Sequence, residues 1–253
     1  MISVSGIYKS FGKLQVLQGV SAEFETGKVN MIIGKSGSGK TVLIKTIIGL
    51  HYPDKGEVFF NDREFTKAKF IIKKNIRQEI GMVFQGGALF TSLTVQDNIL
   101  LPLNTFSDLS KKEKLKRVDF CLGRVNLKDV NKMYPTELSG GMQKRAAIAR
   151  AIALNPKYLV CDEPNSGLDP QTAIKIDNLI KEITLEYNMT TIINSHDMNS
   201  VMEIGDNIMF IFEGKKWWEG HKNNIFDSDN EELNDFVFAS ELYKKIKKQY
   251  NNL

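Results

Sequence analysis

Cysteine is scarce: Cys121 and Cys161 are the only two in 253 residues. Two cysteines cannot build a disulfide framework, and neither shows the paired spacing of a zinc site. Long apolar runs are missing as well. No stretch approaches the roughly 18 consecutive apolar residues of a membrane span. The longest uncharged stretch, 80–96, is broken by Gln85, Gly86 and Gly87. The first six residues lack a basic segment followed by an apolar run, so no signal peptide is expected. Six prolines and 19 glycines are too few for a fibrous or low-complexity chain. Charge of one sign is not in large excess either. Lys+Arg 34 against Asp+Glu 30 leaves +4, too little to mark a nucleic-acid binder, although an anionic ligand stays open. What remains is a globular chain long enough to bury a core without staples, expected to be soluble and cytoplasmic. Any membrane role would then need a partner that spans the bilayer.

Strands are predicted at 2–8 and 14–24, joined by a turn at Gly12-Lys13, and at 29–33, where an apolar run stops at Gly34. A Gly-rich loop leads into a helix over 41–48. A turn at Pro53 to Gly56 precedes a strand at 57–60, and 67–78 read as a basic surface helix before a strand at 80–84. Residues 86–137 show helical spacing at 95–101 and 111–125 and no strand, as a helical insert would. A helix over 139–154, strands at 158–161 and 190–194, a helix over 170–187 and strands at 207–212 and 216–219 complete the pattern. Strands alternating with helices indicate a largely parallel sheet. The tail alternates acidic and basic stretches, and Lys244, Lys245, Lys247 and Lys248 are expected to form a solvated helical face.

Gly34-Lys35-Ser36-Gly37-Ser38-Gly39-Lys40-Thr41 satisfies G-x-x-x-x-G-K-[ST] between a strand and a helix. The glycines let successive N–H groups face phosphate oxygens, and the helix dipole adds positive potential. Lys40 is expected to reach the β- and γ-phosphates and the Thr41 hydroxyl to hold Mg²⁺. Alone, this loop says only nucleoside triphosphate. An apolar strand ending at Asp162-Glu163 supplies a carboxylate expected beside the phosphate loop to support Mg²⁺. Glu163, directly after it, suits a general base for an attacking water. Leu138-Ser139-Gly140-Gly141-Met142 places an N-cap and two glycines at the start of an Ala-rich helix, a second anion cradle. One nucleotide does not need two cradles within one chain. A dimer in which each cradle faces the other copy's phosphate loop does.

With these motifs in this order, the chain resembles the nucleotide-binding subunit of an ABC transporter over essentially its whole length. The resemblance implies an α/β fold: a P-loop NTPase (RecA-like) core with an antiparallel β-subdomain and a helical subdomain at about 86–155. The whole would be a single nucleotide-binding domain with a tail at about 222–253. It implies ATP and Mg²⁺ as ligands and a homodimer closing on ATP. It further implies that Gln85 senses Mg²⁺ and the γ-phosphate and links them to the membrane partner, that Asp169 lies at the dimer contact, and that His196 contacts the γ-phosphate. Phe11, 29 residues before Lys40, matches the aromatic that stacks on adenine, with Tyr8 the weaker candidate. Met142 in place of the usual Gln and Lys35 in place of the usual Pro are departures that remove no essential N–H or oxygen.

Met142, the 85–90 segment, Asn98 to Leu103 and Pro164 to Gly167 together resemble the Mla-type, MCE-linked phospholipid transporter ATPases. That implies an integral permease, an MCE-type lipid-binding subunit, no nucleic acid, and a peripheral place at the cytoplasmic face of the inner membrane. The alternatives are the ATPase of an amino-acid, peptide or lipoprotein-release transporter, and, outside transport, a soluble ABC ATPase acting on DNA or ribosomes. Leu89, Phe90 and Leu93 are either a permease groove or core of the helical insert. His51 and His221 read as surface residues, Cys161 as a small buried hydrophobe, and Lys144, Arg145 and Arg150 as paired or solvated helix residues.

Overall fold

A computed structural model describes residues 1–239; the expected lysine face at 244–248 lies outside them. The chain forms two compact units. The first comprises Met1–Glu25, Val29–Lys67 and the chain from Asn194 onward; the second comprises Thr26–Lys28 and Ala68–Ile193.

In the first unit, β1 (Ile2–Phe11) pairs antiparallel with β2 (Leu14–Phe24) and with β4 (Lys55–Phe60), and β5 (Arg63–Glu64) completes the order β2-β1-β4-β5. Period-two alternation buries Ile2 and Val4, then slips to bury Ile7. The slip is a bulge, marked by the register shift between Val4 and Ile7 and by Gly6 at φ 55. The parallel part is different in kind. β3 (Val29–Ile33) is buried at every position, as a strand covered on both faces must be. It runs parallel to β9 (Asn207–Phe212), with Asn30 opposite Asn207 and Ile33 opposite Phe210, and β10 (Lys215–His221) returns antiparallel on the far side. Helix α1 (Lys40–Ile47) follows β3 through the Gly-rich loop. Helix α7 (Met198–Ile204), capped by Asp197 on the Asn199 N–H at 2.9 Å, was not anticipated. Its signal is short, with Met198, Val201 and Ile204 buried at a spacing of three.

In the second unit, β6 (Ile80–Val83) runs parallel to β7 (Tyr158–Asp162), pairing Ile80 with Tyr158 and Val83 with Cys161, and β8 (Thr190–Ser195) is the other neighbour of β7. Its helices are α2 (Phe70–Gln78), α3 (Val95–Phe106), α4 (Lys111–Arg124), α5 (Gly140–Ala151) and α6 (Pro170–Glu186). No strand interrupts 86–137, as expected. Local chemistry starts each helix. Thr94 caps α3 on the Asp97 N–H at 3.1 Å, Ser110 and Glu113 form a capping box on α4, and Asp169 caps α6 on the Thr172 N–H at 3.0 Å. Helical spacing was read over 95–101, and the helix runs further, through Pro102 to Phe106. Pro102 removes one ladder bond, while the buried face of Val95, Ile99 and Leu103 continues the helical period across it. Helix α5 lies close to β6: a Cβ on Gly81 would come within 2.5 Å of the Ala151 carbonyl.

Asn98 organises the entry to α3. Its amide donates to the carbonyls of Phe90 at 3.0 Å, Leu93 at 3.2 Å and Thr94 at 3.0 Å, and its oxygen accepts the Phe90 N–H at 2.8 Å. The residue is fully buried. Asn98→Ala is therefore expected to cost about 1–3 kcal/mol by stranding buried backbone groups. Denaturant unfolding checks it, and unchanged stability would show that water replaces these bonds.

Candidate phosphate-binding loop and acidic strand end

In the first unit, the chain leaves β3 at Gly34, whose φ is 148. A Cβ there would lie 2.2 Å from the Ile211 carbonyl oxygen and 2.9 Å from Ser38 Oγ, so no side chain fits. Gly39, at φ 106, is similarly confined, with Val16 O at 2.9 Å from a notional Cβ. Ser36 and Gly37 form the exposed crown of the loop. Lys40 is 5% exposed and its Nζ donates to the carbonyls of Gly34 at 2.8 Å and Lys35 at 3.0 Å. Gly39, as N-cap, offers no side-chain oxygen to the first turn of α1. The Ser38 hydroxyl is buried without a hydrogen-bond partner. An enclosed ammonium, an uncapped helix start and an orphaned hydroxyl at one loop fit a phosphate group.

The same unit carries further residues, some expected and some newly found. Thr41 Oγ1 accepts a hydrogen bond from Asn194 Nδ2 at 3.1 Å. Asn194 was missed by the sequence reading; its only signal is an amide in a fully buried strand. His196 is exposed just beyond β8. Phe11 is 45% exposed and meets the His51 ring edge-on at 5.3 Å, with Lys9 Nζ 5.4 Å from its centroid. His51, expected as a plain surface residue, is half-buried in that contact. Asp54 holds the end of β1 by accepting from the Ser10 N–H at 2.6 Å and Lys9 Nζ at 2.9 Å, and these bonds hold its carboxyl below the usual range. Tyr8 packs against Gly19.

In the second unit, β7 ends at Asp162, which is buried, and Glu163 follows at φ 47. That left-handed backbone is uncommon for a residue other than glycine and marks a held conformation. The Glu163 carboxylate accepts from Gln85 Nε2 at 2.9 Å. The Gln85 carbonyl in turn accepts from Lys144, which is 7% exposed. Burial lowers the Lys144 ammonium, and the nearby Glu163 carboxylate opposes that shift. The three α5 cations are thus spent on backbone: Arg145 donates to Asn126 O at 2.8 Å, and Arg150 to Ala88 O at 2.7 Å and Gly87 O at 2.9 Å. They are paired and not solvated. After Glu163, Asn165 donates to the buried Asp177 carboxylate at 3.1 Å, a pair separated by 12 residues that no motif announces. Cys161 is a buried thiol, as expected.

The second cradle is in this unit too. Ser139 Oγ accepts from the Met142 N–H at 3.3 Å, and Gly140 with Gly141 opens α5. A Cβ on Gly141 would strike Thr172 Cγ2 at 2.6 Å. Ser139, Gly140, Gly141, Arg145, Asp169 and Lys175 border a cavity of about 660 Å³. Asp169 spends one oxygen capping α6, and bonding to Thr172 holds its carboxyl below the usual range. Among the described residues no group of three or more His, Cys, Asp and Glu could hold a metal. In the first unit Thr41 offers a hydroxyl oxygen and in the second Asp162 offers a carboxylate, each the kind of donor a hard cation such as Mg²⁺ takes.

A model of the ABC transporter family matches residues 17–166. The methionine import ATP-binding protein MetN of Clostridioides difficile is 39% identical over 226 residues, covering 89% of this chain and 70% of that protein. MetN of Clostridium tetani is 36% identical over 242 residues, covering 96% and 76%. A dimeric ATP-binding cassette in a post-hydrolysis state bound to ADP and Pi has the same fold, with TM-score 0.80 and 32% identity over 88% of this chain and 99% of that one. The cbiO1 protein of Clostridium perfringens, part of the ABC transporter complex cbiONQ, gives TM-score 0.83 at 27% identity over 99% and 98%. The finer resemblance to Mla-type phospholipid ATPases is corrected by these relatives, which are named for methionine import. Part of its motif has a local structural reason: Asn98 pins the start of α3.

Lys144→Met tests whether the buried ammonium positions the Gln85–Glu163 pair. Losing a charge-assisted bond worth about 1.5–3 kcal/mol is expected to slow ATP hydrolysis by about tenfold or more while nucleotide affinity holds. Hydrolysis and nucleotide titration, run beside a melting curve, give the answer. Near-normal turnover in a folded variant would make Lys144 mere filling.

Proposed function

We propose, from the premise that the chain belongs to the ABC transporter family, that it is the ATPase subunit of an amino-acid importer of the methionine class. The identity to MetN across 89% of the chain carries the cargo class. The enzyme activity itself is that of its family: it binds and hydrolyses ATP with Mg²⁺ and works as a dimer on a membrane permease. Among the described residues no helix is long and apolar enough to cross a membrane. The family match supports a subunit placed peripherally at the cytoplasmic face and held by the permease.

In this reading each residue has a task. Phe11 stacks on adenine, and the N–H groups of Gly34 to Gly39 and the Lys40 ammonium take the β- and γ-phosphates. Thr41 and Asp162 would each offer oxygen to Mg²⁺, which when bound would neutralise charge on the phosphates. Glu163 accepts a proton from the attacking water, and its backbone conformation and the Gln85 amide fix the carboxylate for that role. His196 contacts the γ-phosphate. Ser139, Gly140 and Gly141 serve the nucleotide of the second copy, and Asp169 lies at the contact between copies. Gln85 passes the nucleotide state toward the permease.

An apolar groove supports the permease contact. Phe84, Ala88, Phe90, Leu101, Pro102 and Phe106 line a cavity of about 520 Å³. Of the three side chains singled out in the sequence, only Phe90, 52% exposed, lines it; Leu89 and Leu93 are half-buried. An apolar trough of this kind suits a short permease helix. Phe90→Glu is expected to leave the melting temperature and ATP binding intact and to abolish copurification with the permease. A variant that melts normally and still assembles would remove the groove from the account.

Glu163→Gln is expected to keep ATP affinity, slow hydrolysis by at least about 10²-fold and accumulate ATP-bound dimer. The cargo is tested with the reconstituted complex and two probes, labelled methionine and labelled phospholipid. ATP-dependent methionine uptake, lost with Glu163→Gln, is the expected result. Phospholipid movement without methionine uptake would overturn the cargo reading and leave the ATPase reading standing.

A further inference from the structure

Helix α2 has no part in the site described above. Its only buried residue is Ile76. At its start, Phe70, Ile71 and Ile72 are 76%, 58% and 41% exposed, three large apolar side chains in succession. The helix and its N-cap carry charge of one sign. Residues 69–78 contain Lys69, Lys73, Lys74 and Arg77 and no acidic residue, and Glu79 at the C-cap pairs with Lys157. Phe70, Lys74 and Arg77 fall at i, i+4 and i+7, so apolar and cationic groups share the outward face while Ile76 anchors the inward one.

Exposing this much apolar surface on one short helix is unfavourable in water unless something covers it. We propose that α2 is a membrane-contact element that rests on anionic lipid, with Phe70 and Ile71 entering the headgroup boundary and the lysines meeting lipid phosphates. Two features favour lipid over a protein groove. Anchors that dock a helix into a protein groove recur at i, i+3 or i+4 and i+7. Here the apolar residues are consecutive at the first turn, so they surround the helix end, which suits a soft surface with no fixed pockets. The cations flank that end without an acid between them, matching a surface of one charge. Continuity with the groove adds a third argument. Helix α2 leads through Glu79 directly into β6, whose Ile80 and Met82 line the trough assigned to the permease. The inference rests on that assignment for its biological setting, because a subunit held beneath a permease has the bilayer as its neighbour.

The test uses the full chain and sedimented vesicles of phosphatidylcholine alone or mixed with phosphatidylglycerol. The chain is expected to bind the mixed vesicles, to ignore the neutral ones and to be released by salt. Each surface lysine near anionic lipid contributes on the order of fivefold in partitioning, so Lys69→Glu with Lys74→Glu is expected to weaken binding by more than about tenfold. Phe70→Ser with Ile71→Ser is expected to weaken it as well. Both variants alter exposed side chains, so ATP hydrolysis and melting are expected to match wild type. Absence of binding to the mixed vesicles, or binding that neither variant weakens, overturns the proposal. So does a variant that binds vesicles like wild type but loses the permease or the dimer, since α2 would then face protein. Permease copurification through Phe90 is scored separately, so failure on vesicles leaves the groove untouched.

Discussion

The enclosed ammonium of Lys40 is the group on which the first unit's chemistry depends. A cation only 5% exposed is tolerated where electron-rich atoms converge on it, and here two carbonyls of its own loop do so. Holding those carbonyls in place forces the loop into backbone conformations that only glycine adopts, with Gly34 against Ile211 and Gly39 against Val16. The flanking strand and helix follow from the same demand. A fully buried β3 brings the chain to the loop at a fixed point, and α1 starts at Lys40 with no side-chain cap on its first N–H groups. Triphosphate brings more oxygen than the two carbonyls supply, which is why the geometry favours it.

The second unit solves a different problem, that of holding an acid in readiness. Glu163 is placed by a left-handed backbone, tethered by the Gln85 amide and set near a buried Lys144. The loop beyond it is tied down by Asn165 on Asp177 and by Asp169 on α6. The stapled segment runs from Glu163, the proposed general base, to Asp169, the residue proposed at the dimer contact. In the proposed reading, these ties join the dimer contact to the base, and Gln85, just before the groove proposed for the permease, extends that link outward.

Much of this was legible in the sequence because it is local. The phosphate loop is a spacing of glycines, a lysine and a threonine within eight residues, and the cap Ser139 acts on an N–H three positions away; the caps Thr94, Ser110 and Asp169 are equally local but were not read. What escaped is non-local. Lys144 meets Gln85 across 59 residues and Asn194 meets Thr41 across 153, and no pattern along the chain encodes such a meeting. Helix α3 continued past Pro102 because burial of Leu103 outweighed one lost ladder bond, a tertiary effect overriding a local rule. The cargo was the least legible feature. The side chains that signal the ATPase are those proposed for nucleotide, acid or docking groove, and a change of cargo leaves their chemistry unchanged.

The central claim is that each ATP is held by the phosphate loop of one copy and the Ser139 cradle of the other. Mixing two inactive variants tests it most directly. Ser139→Arg keeps its own Lys40, and Lys40→Ala keeps its own Ser139, so a mixed dimer contains one complete site and one doubly defective site. Random pairing at equal amounts is then expected to restore up to about a quarter of wild-type hydrolysis from two preparations that have none alone. Persistent inactivity at every mixing ratio, with both variants folded and mixed dimers demonstrated, would contradict the shared site.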